Sequence, residues 1–175
     1  EYKNGGKRLG KVKKIGNSKL HGAVITFEPD PAVFPEREFN WNTVIAHMRQ
    51  QAYLVKGFRI TIFDLRHAGN VRDESVYYLR DLGLDAPSMT FYFEGGLRSL
   101  VQFQNRYLAP VHKNVFYIEK EQDGVTVEVA LQYVDDIASR ISAFANNVHN
   151  SEGGMHVTGF KTALTRTLNS ANKGG

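Results

Sequence analysis

The stretch from Val115 to Tyr133 leaves the backbone little choice. Val125, Val127, Val129, Leu131 and Tyr133 alternate with polar or small residues. That period of two puts one set of side chains on one face of a strand. Val115–Glu119 reads as a strand ahead of them, and Gln122-Asp123-Gly124 lies between. Asp-Gly supplies the two left-handed positions of a tight turn, so an antiparallel hairpin is predicted over 115–119 and 125–133.

The other elements fall on both sides of this hairpin. Residues 1–28 read as a hairpin turning at Gly5-Gly6, then a strand through Val24, Ile25 and Phe27 that Glu28-Pro29-Asp30-Pro31 stops. Trp41, Val44, Ile45, Met48, Ala52 and Val55 follow the 3.6-residue period over 40–56, with Asn40 as N-cap and Gly57 just past the end. This stripe of apolar side chains reads as core packing. Phe58, Ile60 and Ile62 predict a half-buried strand, and Met89, Phe91 and Phe93 a second one. Between them, 66–88 reads as a loop with a short helix near Val76–Leu82. A helix is predicted over Leu97–Leu108. Residues 138–148 fit helix or strand by pattern, and Ile141, Phe144 and Val148 favour strand. After Glu152-Gly153-Gly154 a last helix is predicted, with Val157, Phe160, Leu164 and Leu168 on one face. The class is α+β, with a mixed or antiparallel sheet and helices on one face.

Hydrophobic residues make up 42% of the 175, enough for a core. There is no cysteine, which excludes disulfides and thiolate metal sites and suits a reducing cytoplasm. No apolar run approaches the roughly 18 residues of a membrane span. The chain opens on Glu1 rather than Met, in residues that read as strand, as a piece of a longer protein would. The net charge of +4 matters less than its distribution. Lys3, Lys7, Arg8, Lys11, Lys13, Lys14 and Lys19 face a single acid, Glu1, within the first twenty residues, and no acid follows Glu152. Such stretches suit either a solvated surface or phosphate tracking.

Motifs with catalytic chemistry are scarce. The six histidines (His21, His47, His67, His112, His149 and His156) form no paired ligand spacing. No GxSxG, Walker A loop or GxGxxG occurs. The Gly pairs at 95–96 and 153–154 precede helices, where they could hold an anion on free N–H groups or simply permit a tight turn. On the last helix, Arg166 falls about 140° round from Lys161 at 3.6 residues per turn, so the two are not expected to face one partner.

Five ordered strings carry a resemblance. Residues 152–169 (EGGMHVTGFKTALTRTLN) are similar to the EGGTHxxGFxxALTRxLN signature of type IIA DNA topoisomerase B subunits. Ala23–Phe34 resembles that family's GTxxxFxPDxxxF, Ala52–Ile62 its AFLNKGxxI, Tyr92–Leu97 its YEGGI and Val127–Tyr133 its VEVALQW. The likeness covers nearly the whole chain. It implies that 1–35 are the last strands of a GHKL ATPase domain. It implies that 36–175 are a C-terminally incomplete transducer, a ribosomal-protein-like fold with a left-handed β-α-β crossover.

It further implies a DNA topoisomerase whose full-length form uses ATP and Mg2+. The implied partners are double-stranded DNA, a topoisomerase A subunit and a second copy of the B subunit, in a cytoplasmic, chromosome-associated setting without a membrane. The family's ATP motifs lie outside these residues, so no cofactor is expected on this segment alone, and no catalytic or metal residue is assigned. One basic position transfers: the residue after Gly-Phe, which faces a DNA cavity in the family, is Lys161. Arg166 also matches a family Arg and is the weaker basic candidate. Met155 and Ala23 replace family Thr residues, and each loses a hydroxyl. Two other readings remain: a stand-alone nucleic-acid-binding α+β module, and a small hydrolase or metal enzyme built on a His/Asp/Glu pocket.

Overall fold

The computed structural model describes residues 2–14, 16, 17, 19, 25, 27–68 and 85–172. Its elements are β1 (Tyr2–Lys3), β2 (Lys7–Arg8), α1 (Trp41–Leu54), β3 (Arg59–Phe63), β4 (Ser88–Tyr92), α2 (Leu97–Gln104), β5 (Phe116–Gln122), β6 (Val125–Leu131), β7 (Phe144–Ala145), β8 (Val148–His149) and α3 (Met155–Asn172). The α+β class is borne out. The strands form four two-stranded sheets, each joining neighbours in sequence. The single expected sheet is therefore described as four pairs, and a β-α-β crossover is not among the described pairings. The chain divides into two compact units: 1–45 with 62–89, and 46–61 with 90–175.

In the first unit β1 and β2 pair across Asn4, Gly5 and Gly6, all at positive φ. The hairpin read from Gly5-Gly6 is there. Of the strand expected at Val24–Phe27, only Ile25 and Phe27 lie within the described residues, and neither is in a strand. The Asp30 side chain accepts from the Ala32 N–H and turns the backbone at the proline pair. Phe27 and Phe39 meet edge to face at 6.4 Å. The helix expected near Val76–Leu82 lies outside the described residues.

Asn40 caps α1 as its sequence position predicts: its Oδ1 accepts from the Thr43 N–H at 3.1 Å. Ile45 and Ala52 are buried, while Trp41, Val44 and Met48 are partly covered. Asn40→Ala should lower stability by about 1 kcal/mol, read from a urea midpoint.

Also in the first unit, Arg66 donates two bonds to the Asp64 carboxylate, at 2.9 and 2.5 Å, and a third to the Phe39 carbonyl at 3.0 Å. The bonds to the carboxylate hold the Asp64 carboxyl down at about 2. A depressed carboxylate stabilises the folded state above its unfolded value and loses that contribution as pH falls through its folded value. The stability gap between the wild type and Asp64→Asn should therefore be constant near neutral pH. It should close between about pH 4 and pH 2, as followed by denaturation at each pH.

In the second unit Asp123 (φ 53) and Gly124 (φ 76) make the anticipated turn. β5 and β6 pair in a register running from Phe116↔Leu131 to Gln122↔Val125. β6 ends two residues short of the predicted Tyr133, because the Tyr133 N–H is given to His112 Nε2 at 2.9 Å instead of to a neighbouring strand. α2 packs on this hairpin. It stops at Gln104 rather than Leu108: Asn105 leaves helical geometry and its side chain bonds Gln132. The ambiguous stretch 138–148 holds only the short pair β7 and β8, around Asn146 and Asn147 at positive φ. Its β-branched content favours strand, and the two left-handed asparagines form the turn between two arms of two residues each. The buried side chains of this unit are Ala52, Tyr53 and Phe91.

Candidate functional site

α3 starts where the two glycines end. Gly153 and Gly154 have φ of 75° and 153°, which free the chain to turn into the helix. The Gly154 carbonyl accepts from the Val157 and Thr158 N–H groups at 3.1 Å. Thr158 and Thr162 turn their hydroxyls back to carbonyls four residues earlier, at 3.3 and 2.9 Å. Val157, Phe160 and Leu164 are half-buried, whereas Leu168 is 49% exposed. Met155, where the resembled signature has Thr, is 87% exposed.

Lys161 and Arg166 line one open depression together with Thr162, Thr165, Asn169 and Ser170. Their Cα directions diverge by about 140°, while both long side chains border the same open hollow. Lys161 also borders a second hollow at the start of α3, lined by Asn150, Ser151, Glu152 and the two glycines among others. Neither cation is ion-paired with another described residue. Two cations flanking hydroxyls and an amide make a strip that can receive phosphate oxygens without first breaking an internal salt bridge. Beside it, Asn150 Oδ1 is buried without a hydrogen-bond partner.

The residue spacing gave no hint of a second polar cluster in the same unit. Tyr117 Oη lies 2.5 Å from Glu128 Oε1 and 2.9 Å from Glu119 Oε2, its one proton serving one carboxylate at a time, and it accepts from Lys56 Nζ at 2.9 Å. The Arg98 guanidinium lies 4.5 Å from the Tyr117 ring centre. The hydrogen bond to Tyr117 pushes the Lys56 ammonium pKa up, and the Tyr117 and Lys56 contacts hold Glu119 down. Burial, then the bond to Glu128, pushes the Tyr117 phenol up. The signal that could have found this cluster is the Asp-Gly turn. It fixes the register that sets Glu119 directly opposite Glu128, a like-charge pair that needs a cation.

Among the described residues no group of three or more His, Cys, Asp or Glu side chains is placed to hold a metal ion. No helix among them is long and apolar enough to cross a membrane.

The family model for DNA gyrase B matches residues 96–174. The DNA gyrase B protein of Clostridium acetobutylicum is 40% identical over 165 residues, covering 94% of this chain and 23% of that protein. The Archaeoglobus fulgidus gyrase B protein is 38% identical over 159 residues, covering 91% and 22%. The chain therefore spans about a quarter of the length of these relatives. A crystal structure of the 43K ATPase domain of Thermus thermophilus gyrase B, in complex with an aminocoumarin, superposes with a TM-score of 0.64 at 26% identity. The overlap is 83% of this chain and 35% of that one. The B-subunit of the DNA gyrase from Myxococcus xanthus superposes at 0.66 with 21% identity, over 89% and 42%, a likeness of fold alone. The resemblance to type IIA topoisomerase B subunits, read from five strings, is borne out in sequence and in fold.

Proposed function

We propose that this chain is the segment of an ATP-hydrolysing type II DNA topoisomerase B subunit that joins the end of its ATPase domain to most of its transducer. The boundary lies near residue 35. In the whole cytoplasmic enzyme the segment relays ATP-driven closure of two B subunits to the gate through which duplex DNA passes, with a topoisomerase A subunit as partner. The supporting observation is the 40% identity across 94% of the chain. The segment's own share is mechanical and electrostatic. α2 packs on the β5/β6 hairpin, and the Lys161 strip presents cations to DNA.

Lys161 is the residue assigned to the DNA. Lysine keeps the positive charge of the arginine common at this position in gyrase-like members but gives up its planar fork. A phosphate contact therefore suits it better than a bidentate one. In the intact enzyme, Lys161→Ala should lower DNA-stimulated ATP turnover several-fold and reduce the salt slope of DNA binding by about 1. Lys161→Arg should retain both, and circular dichroism should show the same fold in each. Full DNA stimulation in a folded Lys161→Ala enzyme would remove Lys161 from the DNA path. The 175-residue segment by itself should show no ATP turnover; measurable turnover would reveal a nucleotide site within it and overturn the assignment.

A further inference from the structure

The β1/β2 hairpin opposes like charges. Lys3 stands directly across from Lys7, so both side chains leave the same face of a two-stranded ribbon. Like charges directly opposite destabilise a strand pair. A lone two-stranded hairpin is marginal in water to begin with. The sequence around it offers no relief: between Glu1 and Glu28 there is no Asp or Glu. Lys3, Lys7, Arg8, Lys11, Lys13, Lys14 and Lys19 are all exposed. None of them is ion-paired with another described residue. Asn4, Gly5 and Gly6, all in left-handed backbone, keep the tip narrow.

A solvated face of a protein usually mixes both signs of charge, whereas this ribbon and the segment after it carry one. No described acid balances Lys3 and Lys7, and the phosphates of a polyanion supply the opposite charge.

We propose that the β1/β2 hairpin, with Lys3 and Lys7 at its centre and Arg8, Lys11, Lys13 and Lys14 behind it, is a second DNA-binding surface that follows the phosphate backbone of a duplex without reading its sequence. The choice of duplex DNA as the polyanion rests on the proposed function; the existence of the surface rests on the hairpin. Binding there releases counterions, so its affinity falls steeply with salt and is indifferent to base sequence.

The test is fluorescence anisotropy of a labelled duplex of about 24 base pairs, titrated with the 175-residue chain from about 50 to 200 mM salt. Lys3→Gln/Lys7→Gln should lower the slope of log K against log salt by about 1.8, or about 0.9 for each phosphate no longer neutralised. It should also weaken binding more than tenfold at the low-salt end. Lys3→Arg/Lys7→Arg should leave both unchanged. Two duplexes of unrelated sequence should give the same curves.

An unchanged slope in the glutamine variant overturns the proposal. So does equal loss in the arginine variant, which would mean that the lysines only shape the hairpin. A chain that ignores the duplex yet binds vesicles of anionic lipid overturns the choice of partner. Lys161→Ala is run in parallel. Weaker binding there with none in Lys3→Gln/Lys7→Gln removes the hairpin and leaves the proposed function standing.

Discussion

Tyr53→Ala is expected to cost about 3–5 kcal/mol of stability, the range for truncating a large aromatic in a packed core. Tyr53 is 4% exposed at the end of α1. Its ring stacks on Phe93 with centres 3.7 Å apart and planes 16° apart, and Phe103 lies 5.9 Å away. The Arg49 guanidinium is about equally far from Phe91 and Phe103, at 5.3 and 5.4 Å from their ring centres. Deleting the Tyr53 ring removes the side chain that touches both Phe93 and Phe103, which sit on opposite sides of the Gly95-Gly96 turn. The unit has few buried side chains to share the loss, and the cost is comparable with the net stability of a small domain. The measurement is urea denaturation followed by far-ultraviolet circular dichroism. A midpoint shift at constant slope reports lost stability, and a lower slope reports a looser native state. Tyr53→Phe keeps the stack and should cost less than about 1 kcal/mol. A shift below about 1 kcal/mol for Tyr53→Ala would mean that the aromatic cluster closes over the gap and is not the anchor of this unit.

Tyr53 also shows where the sequence was silent. The period through Trp41, Val44, Ile45, Met48 and Ala52 found the helix and most of its inner face. Tyr53 sits one position past Ala52, about 100° round, and is buried because the 93–96 turn comes back over the end of the helix. Period sees a helix by itself and not what packs on it. The same limit explains α2: Leu97–Leu108 reads as continuous helix, but it is a contact from Gln132, far along the chain, that holds Asn105 outside. Local chemistry was read well at Gly57, Asp123-Gly124 and Gly153-Gly154, where left-handed backbone is required, but not at Asn146-Asn147. Alternation predicted that β6 is a strand but not how it is covered. Val125 and Val127 are 62% and 55% exposed, while Val129 and Leu131 are partly covered. At the candidate site, Lys161 and Arg166 were both legible from the strings. Their sharing of one hollow was not, because helical angles place Cα atoms and not the ends of long flexible side chains.

The two glycines before α2 should rank against the order that space alone suggests. A Cβ on Gly95 would run into Ser99 Oγ, whereas one on Gly96 would stand 3.3 Å from Lys56 Cγ and 3.6 Å from the Tyr53 carbonyl. Gly95 looks the more crowded. Its φ is not positive, however, and the obstacle is a hydroxyl at the end of a rotatable bond, so Gly95→Ala should cost less than about 1 kcal/mol. Gly96 has φ 52° and ψ −126°, a conformation that an L side chain resists at a cost of about 1–3 kcal/mol. Its nearest neighbour cannot retreat freely either: the Lys56 stem is anchored by the bond from Nζ to Tyr117 Oη and by the Glu119 ion pair. Gly96→Ala should therefore cost about 2–4 kcal/mol, the strain plus part of that hydrogen bond. Adding Lys56→Ala to it should recover the steric part alone. A double-mutant cycle measured by urea midpoints separates the two. Strict additivity would locate the whole cost in the Gly96 backbone, and coupling of about 0.5 kcal/mol or more would place the Lys56 stem in its way. If Gly95→Ala proves the costlier change, close approach rather than backbone conformation governs this turn, and the left-handed geometry at Gly96 is not what the glycine is there to provide.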